Sequence, residues 1–467
     1  MSWQPLPIIG EAYADDALPW SSQDVLNWLP VPAERPGTRS QWKLASPPGL
    51  VEYANLGTNA PVRGTHDVEG LLLAVSGDKL FSVAPNGTAT QLGLVPGTGR
   101  VSMAHNQVSN GYEVLIANGQ SGYVYDTRTG VYGQITDPGF PGLKNAQFID
   151  GYIGGVEPQG RFWAHSELRQ AREWNTLDRY DAEAQPDQLV TSIVSNREVF
   201  VLGGRTGQFF RNTGATTGTF QNSNGTETDV GCAGTFAAAR MDNTVYWLGN
   251  DGLAYRLAGS SPQIISTGPI AQAMSARNLA AAFCTVWEEG KHKVVYFTFP
   301  DGETFGYDAW TDKWHRRGSY GLNRWRLNTL TNSRGRWIGG DFANGRLYRL
   351  DSATMTEDGN PLVSRLRSPV VHAEGNHIHV AGLKLVFDVG RAPTGQSDHF
   401  TSIRYSDDGG HNWSNARIAS LGARGQYGTR VEERRMGRTQ TRTWEIEVSS
   451  PGKRDLLAAS WMAEVQQ

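Results

Sequence analysis

The chain has 467 residues, enough for two or more domains, and its 55 Gly, 15 Trp, 16 Tyr and 16 Phe against 19% charged residues favour short strands and tight turns over packed helices. A net charge of −3 gives no global attraction to nucleic acid or to a membrane surface, although a local patch remains open. No run nears the ~18 apolar residues of a membrane span. Met1–Gly10 lacks the basic and apolar regions of a signal peptide, so synthesis and folding in a cytoplasm is the expectation. Cys232 and Cys284 make no disulfide framework; two buried thiols are favoured over a pairing across adjacent repeats.

Residues 1–50 carry Trp20, Trp28 and Trp42 among Pro19, Pro30, Pro32, Pro36, Pro47 and Pro48. Prolines remove ladder donors, so the reading is an extended arm lying on another surface, either a neighbour's or its own domain's.

From residue 71 one pattern recurs. Leu71–Leu92, Glu113–Ile135, a weaker Phe148–Trp174, Val199–Phe210, Val245–Ile265, Val294–Arg317 and Trp337–Leu350 each pair β-branched and aromatic runs across Gly, Asn or Asp turns. The starts are 42, 35, 51, 46, 49 and 43 residues apart, the spacing of β-propeller blades. Seven blades is the count, and the weak copy at 148 leaves six or eight as alternatives. A corner repeats as well: Asp126 and Thr129, Asp308 and Thr311, Asp351 and Thr354 stand three apart each time. Asp suits such a corner because its carboxylate accepts the amide two residues on. Pro269–Val286 is alanine-rich and predicts a short helix from about Ile270 to Phe283, crossing between blades.

Past Asp358-Gly359-Asn360-Pro361 longer alternating strands appear at Val363–Arg367, His377–Val389, Phe400–Ser406, Thr429–Arg434 and Thr443–Ser449. The organisation predicted is therefore all-β: an arm (1–50), a propeller of about seven blades (51–358) and a C-terminal β-sandwich-like domain (359–467). Residues 360–467 hold 14 Lys+Arg against 11 Asp+Glu, while residues 1–359 come to −6.

Three constellations invite a chemical reading. Ser406–Trp413 resembles the Asp-box hairpin of sialidases, in which Asp408 bonds turn amides; it reports a turn, not catalysis. His377 and His379 share a strand face with His372 nearby, but no third ligand is fixed by spacing, and a solvated face is favoured over a metal site. Arg424, Arg430, Arg434, Arg435 and Arg438, with Arg442 beyond, form a candidate interface for a phosphate or an acidic partner, weighed against an intramolecular network with Glu432 and Glu433. No nucleophile elbow, P-loop, CxxC pair or HExxH occurs, and no cofactor is called for.

Several stretches resemble the packaged-DNA stabilisation, or tail-hub (nozzle), family of short-tailed bacteriophages. They are Asn27–Pro30, Ser46–Leu50, Gly99–His105, Glu183–Asp187, Thr213–Thr217 and Arg434–Arg438, in the family's order across nearly the whole chain. The resemblance implies a virion protein of the tail, without catalytic residues, assembled in the host cytoplasm. It implies a homohexameric ring below the portal and its adaptor that continues the DNA channel and helps retain the genome. Further contacts would be tail fibres, tailspikes or a tail needle, with DNA passing unread and no membrane anchor. A glycan-binding or sialidase-like propeller is the rival reading, motivated by the Asp-box and the aromatic content.

Overall fold

The first hairpin of every repeat closes on two residues. In the computed structural model, which describes residues 2–8, 14–15, 17–181, 186–223, 225–396 and 399–466, these turns fall at 69–70, 109–110, 150–151, 196–197, 242–243, 290–291 and 334–335. In five of the seven both residues have positive φ, as at Asp150 (47°) and Gly151 (95°). Such turns twist with the right-handed twist of their strands and so close a hairpin without splaying it.

Each turn joins the innermost strand of an antiparallel meander to the second. The meanders cover 62–94, 102–134, 147–181, 189–222, 238–264, 283–317 and 327–351, and are blades I to VII. Blade VII has three strands of its own and takes Gly49–Asn55 as its fourth, in a register running from Asp351↔Gly49 to Arg346↔Asn55. Neighbouring innermost strands touch in order, and Leu327–Ser333 returns to Val62–Val68, so the ring closes at seven. Six of the seven expected starts lie on second strands; Phe148 instead lies on the innermost strand Gln147–Ile149. The second strand of blade III, Tyr152–Val156, carries two glycines and gives little pattern to read.

Val294–Arg317 supplies three strands of blade VI, and the fourth is Phe283–Glu289. The predicted helix is therefore shorter than expected. It runs Gly268–Ser275 with Pro269 in its first turn, followed by a 3-10 turn at Leu279–Ala281. Phe283-Cys284-Thr285-Val286-Trp287 is β-branched and aromatic, and the open edge of blade VI claims it. Aromatic pairs fill the seams between blades: Tyr246 lies 6.1 Å from Tyr307, and Tyr296 lies 5.0 Å from Trp325.

The C-terminal domain is a sandwich whose two sheets enclose Leu366, Val380, Leu383, Trp444 and Ile446. The predicted strands are present, and Leu456–Gln466 adds a long one that pairs with His377–Phe387. Residues 24–45 run extended along their own chain. Leu29–Pro32 and Trp42–Ala45 form a hairpin on the sandwich edge, where Pro30 and Pro32 blunt further pairing.

Asp24–Leu26 inserts between the two domains. It pairs with the outer strand of blade VI at Leu26↔Arg316 and with Ser364–Arg367 of the sandwich, so one ten-stranded sheet runs through both. Asn27, buried at φ 52°, donates from Nδ2 to Gly318 O (2.8 Å) and Val363 O (2.7 Å), and its Oδ1 accepts from Gly318 N at 3.1 Å. Trp28 is fully buried in the sandwich core and donates to Arg454 O at 3.1 Å. Asn27→Ala removes these side-chain bonds at a left-handed position and should cost about 2–4 kcal/mol. Calorimetry should then show propeller and sandwich melting in separate steps, where the native chain melts in one.

Candidate functional site

The repeated corners have one geometry. Asp126 Oδ1 accepts Arg128 N at 2.8 Å, Asp308 Oδ1 accepts Trp310 N at 3.1 Å, and Asp351 Oδ1 accepts Ala353 N at 2.9 Å. The threonines share less. Thr311 and Thr354 donate their amides to the aspartate carbonyls, whereas Thr129 accepts Val131 N through its hydroxyl at 3.3 Å. Asp308 does more than turn the chain: it is fully buried, accepts Lys293 N (3.1 Å) and pairs with His292 Nδ1 at 2.6 Å. Asp408 behaves likewise in the sandwich, taking Ser406 Oγ at 2.7 Å and Asn412 N at 2.9 Å, and these bonds hold its carboxyl well below the usual range. Asp308→Ala strands three donors inside blade VI and should cost about 2–4 kcal/mol in urea unfolding; Asp408→Ala, at the surface, should cost less.

The three histidines do not converge. His372 pairs opposite Thr441 in one sheet, while His377 and His379 lie in the other, where His379 sits between Arg438 and Glu464. Among the described residues no three His, Cys, Asp or Glu side chains gather as for a metal.

The arginine stretch divides in two. Arg442 is buried and bonds both oxygens of Asp407 at 2.6 and 2.7 Å; Arg434 pairs with Glu432 at 2.7 Å, and Arg424 bonds Thr394 Oγ1. Arg430, Arg435 and Arg438 are exposed and make no ion pair among the described residues. Of the resembling stretches, Glu183–Gln185 lies outside the described residues.

The propeller axis is closed at one end. Arg100, at the entrance to blade II, reaches across to blade VII, where it donates to Asn328 Oδ1 (3.0 Å) and Asn328 O (2.7 Å). Its guanidinium stacks 3.7 Å from the ring of Phe283 in blade VI and 5.4 Å from Phe236 beside blade V. Arg324 packs on the same Phe283 at 5.4 Å. Burial, with Arg324 adding, pushes Arg100 down to about 9, so it stays charged at neutral pH. Cys232 and Cys284 are both free thiols in this region, and burial raises Cys232 to about 12. Arg100 stands in the Gly99–His105 stretch, yet no local pattern marks a residue whose partners lie in blades VI and VII and beside blade V. At the other end the axis opens into a cavity of about 550 Å³, lined from five blades by His66, His105, Tyr112, Phe148 and Arg240 among others.

One buried histidine gives a pH signature. His315 is 1% exposed, and neither ring nitrogen has a hydrogen-bond partner among the described residues. Burial drives it down to about 3; Asp308 opposes that, and Arg317 and His292 add to it. The unfolded chain takes up this proton near 6.5 and the folded chain does not. Stability that is complete above about pH 6.5 is therefore lost progressively as pH falls toward 3, at about 1 kcal/mol per pH unit. His315→Gln should lower the slope of that part of a urea-stability profile by about 1 kcal/mol per pH unit, leaving the share of His66, which burial also pushes down.

A closed propeller sharing a sheet with a β-sandwich defines a two-part all-β scaffold. The sequence model described as "Bacteriophage P22 Gp10, beta-propeller" matches residues 4–355, and "Bacteriophage P22 Gp10, beta-sandwich" matches residues 364–464. The chain belongs to the bacteriophage P22 Gp10 family of phage structural tail proteins. No curated protein matches it. Solved structures similar to parts of it include virginiamycin B lyase from Staphylococcus aureus (10% identity, TM-score 0.46, 65% of this chain and 98% of that one). Others are the computationally designed Ika8 protein (13%, 0.41, 75% and 100%) and the extracellular domain of the putative one component system BT4673 from B. thetaiotaomicron (11%, 0.46, 76% and 43%). Likenesses of this degree say nothing about what the chain binds. Among the described residues no helix is long and apolar enough to cross a membrane.

Proposed function

We propose that the protein assembles into a ring, expected to be homohexameric, beneath the portal and its adaptor, where it continues the tail channel and helps retain the packaged genome. The observation that carries this reading is the closed propeller axis. A duplex cannot thread a pore crossed by a guanidinium stacked on Phe283, so a DNA channel has to be enclosed between copies instead of through one. The role is mechanical and electrostatic, with no catalytic step. Family membership supports a place in the virion tail, and assembly in the host cytoplasm follows from the reading. The lumen should be polar or acidic so that DNA slides without sticking, in keeping with the −6 balance of residues 1–359. Tail fibres, tailspikes or a needle would attach to surfaces the ring leaves open.

Within this reading Arg430, Arg435 and Arg438 face an acidic surface of the neighbouring copy or of the adaptor, because they are the exposed cations of the stretch that make no ion pair among the described residues. Native mass measurement with and without portal–adaptor should give a ring on that complex, six copies being the expectation. Arg430→Glu with Arg435→Glu should weaken assembly at least about tenfold at unchanged melting temperature, as rim charges do. A ring that forms normally with both arginines reversed would remove their role; cryo-EM placing the chain away from the channel axis would remove the ring reading itself.

A further inference from the structure

The open end of the propeller axis is a cavity for which the tail role has no use. Its mouth lies on the face of the seven two-residue turns, at the end of the axis opposite Arg100. Glu69 and Arg240 come from the exit ends of the innermost strands of blades I and V. The volume, about 550 Å³, lies within the range of small-ligand pockets.

The lining is polar and planar. His66 Nε2 and His105 Nδ1 share a hydrogen bond at 2.8 Å, which fixes both ring orientations and leaves the other nitrogen of each ring uncommitted among the described residues. Burial, with His105 adding, pushes His66 down to about 3, so the pair is neutral at physiological pH. Tyr112 stands edge-on to His105 with ring centroids 5.4 Å apart. Gln107 and Gln147 add amides that donate and accept. Phe148 is 45% exposed at the mouth, an aromatic surface held in water without a ring partner among the described residues. The charges of the wall, Glu69 and Arg240, cancel.

This chemistry selects by exclusion. A polyanion would find one arginine and one glutamate. A metal ion would find two imidazoles bonded to each other and no third converging ligand among the described residues. A purely apolar ligand would strand the imidazoles and amides without partners. What remains is a neutral molecule that offers many hydroxyls to planar groups and one apolar face to an aromatic ring.

We infer that the axial cavity binds a neutral sugar, a mono- or disaccharide, with hydroxyls on His66, His105, Gln107 and Gln147 and a ring face on Phe148. The site is separate from the Asp-box in the sandwich and independent of ring assembly.

Saturation-transfer NMR on the full-length chain tests this, with glucose, galactose, mannose, N-acetylglucosamine, maltose and lactose as probes and glycylglycine as a zwitterionic control. At least one sugar should show transfer with a Kd of about 1 mM or tighter. Phe148→Ala and Gln107→Ala, both at exposed positions, should each weaken it about tenfold, and Ala239→Trp should abolish it by filling the mouth, at unchanged melting temperature. Three results would overturn the assignment: no transfer to any sugar at about 20 mM, transfer that survives both Phe148→Ala and Ala239→Trp, or tighter binding of glycylglycine than of every sugar. Should Ala239→Trp fail to fold, the Phe148 and Gln107 variants decide alone. A failed hexamer leaves this site standing, and a silent sugar panel leaves the ring reading standing.

Discussion

Everything in this molecule hangs on a strand of three residues. Asp24–Leu26 is an antiparallel neighbour to the sandwich and a parallel neighbour to blade VI, and its flanks are locked by polar contacts on both sides. Asp24 pairs with Arg316 of the propeller and lies 3.6 Å from Arg365 of the sandwich. Asn27 then bonds both domains with one amide group. Linked domains ordinarily rock about their linker. Here the hinge is replaced by a hydrogen-bonded sheet that runs from one domain into the other.

Buried guanidinium groups complete the junction. Arg454 donates to the carbonyls of Val448, Ser450, Met355 and Leu362, collecting the end of the propeller, the linker and the sandwich around one side chain. Arg317 does the same from blade VI, reaching Pro48 O at 2.5 Å and Glu357 at 3.3 Å while stacking on Trp325. Arg63 of blade I gathers four loop carbonyls, those of Gly77, Val95, Pro96 and Gly99. Arginine fits this work because its fan of donors satisfies several loop carbonyls that no strand can reach. Burial and the nearby Arg317 push Arg454 down to about 9, and the number of its bonds holds that site against its own desolvation.

Repetition was legible and exceptions were not. Period, turn residues and the Asp corners are local properties, so Val294–Arg317 and its copies could be recognised as blades before any contact was known. The fourth strand of blade VII was hidden because it lies at Gly49–Asn55, next in sequence to a proline-rich stretch and remote from its partners. The arm could be read as extended, on a neighbour's surface or on its own domain; the choice between the two could not, since pairing across such separations leaves no periodic trace. Arg100, Asn27 and the axial cavity were invisible for the same reason: each is defined by residues from several blades or from both domains. The arginine stretch shows the limit sharply, for Arg442 and Arg438 read alike in sequence while one is buried on Asp407 and the other exposed.

The fourth strand of blade VII sets an order of events in time. Gly49–Asn55 leaves the ribosome before any blade, yet its ladder partner Arg346–Asp351 comes only after all the others. Asn27 waits longer still, 337 residues for Ser364, and Trp28 waits 426 for Arg454. Contacts so distant in sequence carry a large loop-closure cost and form late. Gly49–Asn55 and the arm are thus made before the blades and locked after them, and blades I to VI must hold as an open arc until Arg346–Asp351 has been made. A truncated chain would expose that arc's unpaired edges, so the topology ties a finished surface to a finished polypeptide and leaves incomplete copies marked for aggregation or proteolysis.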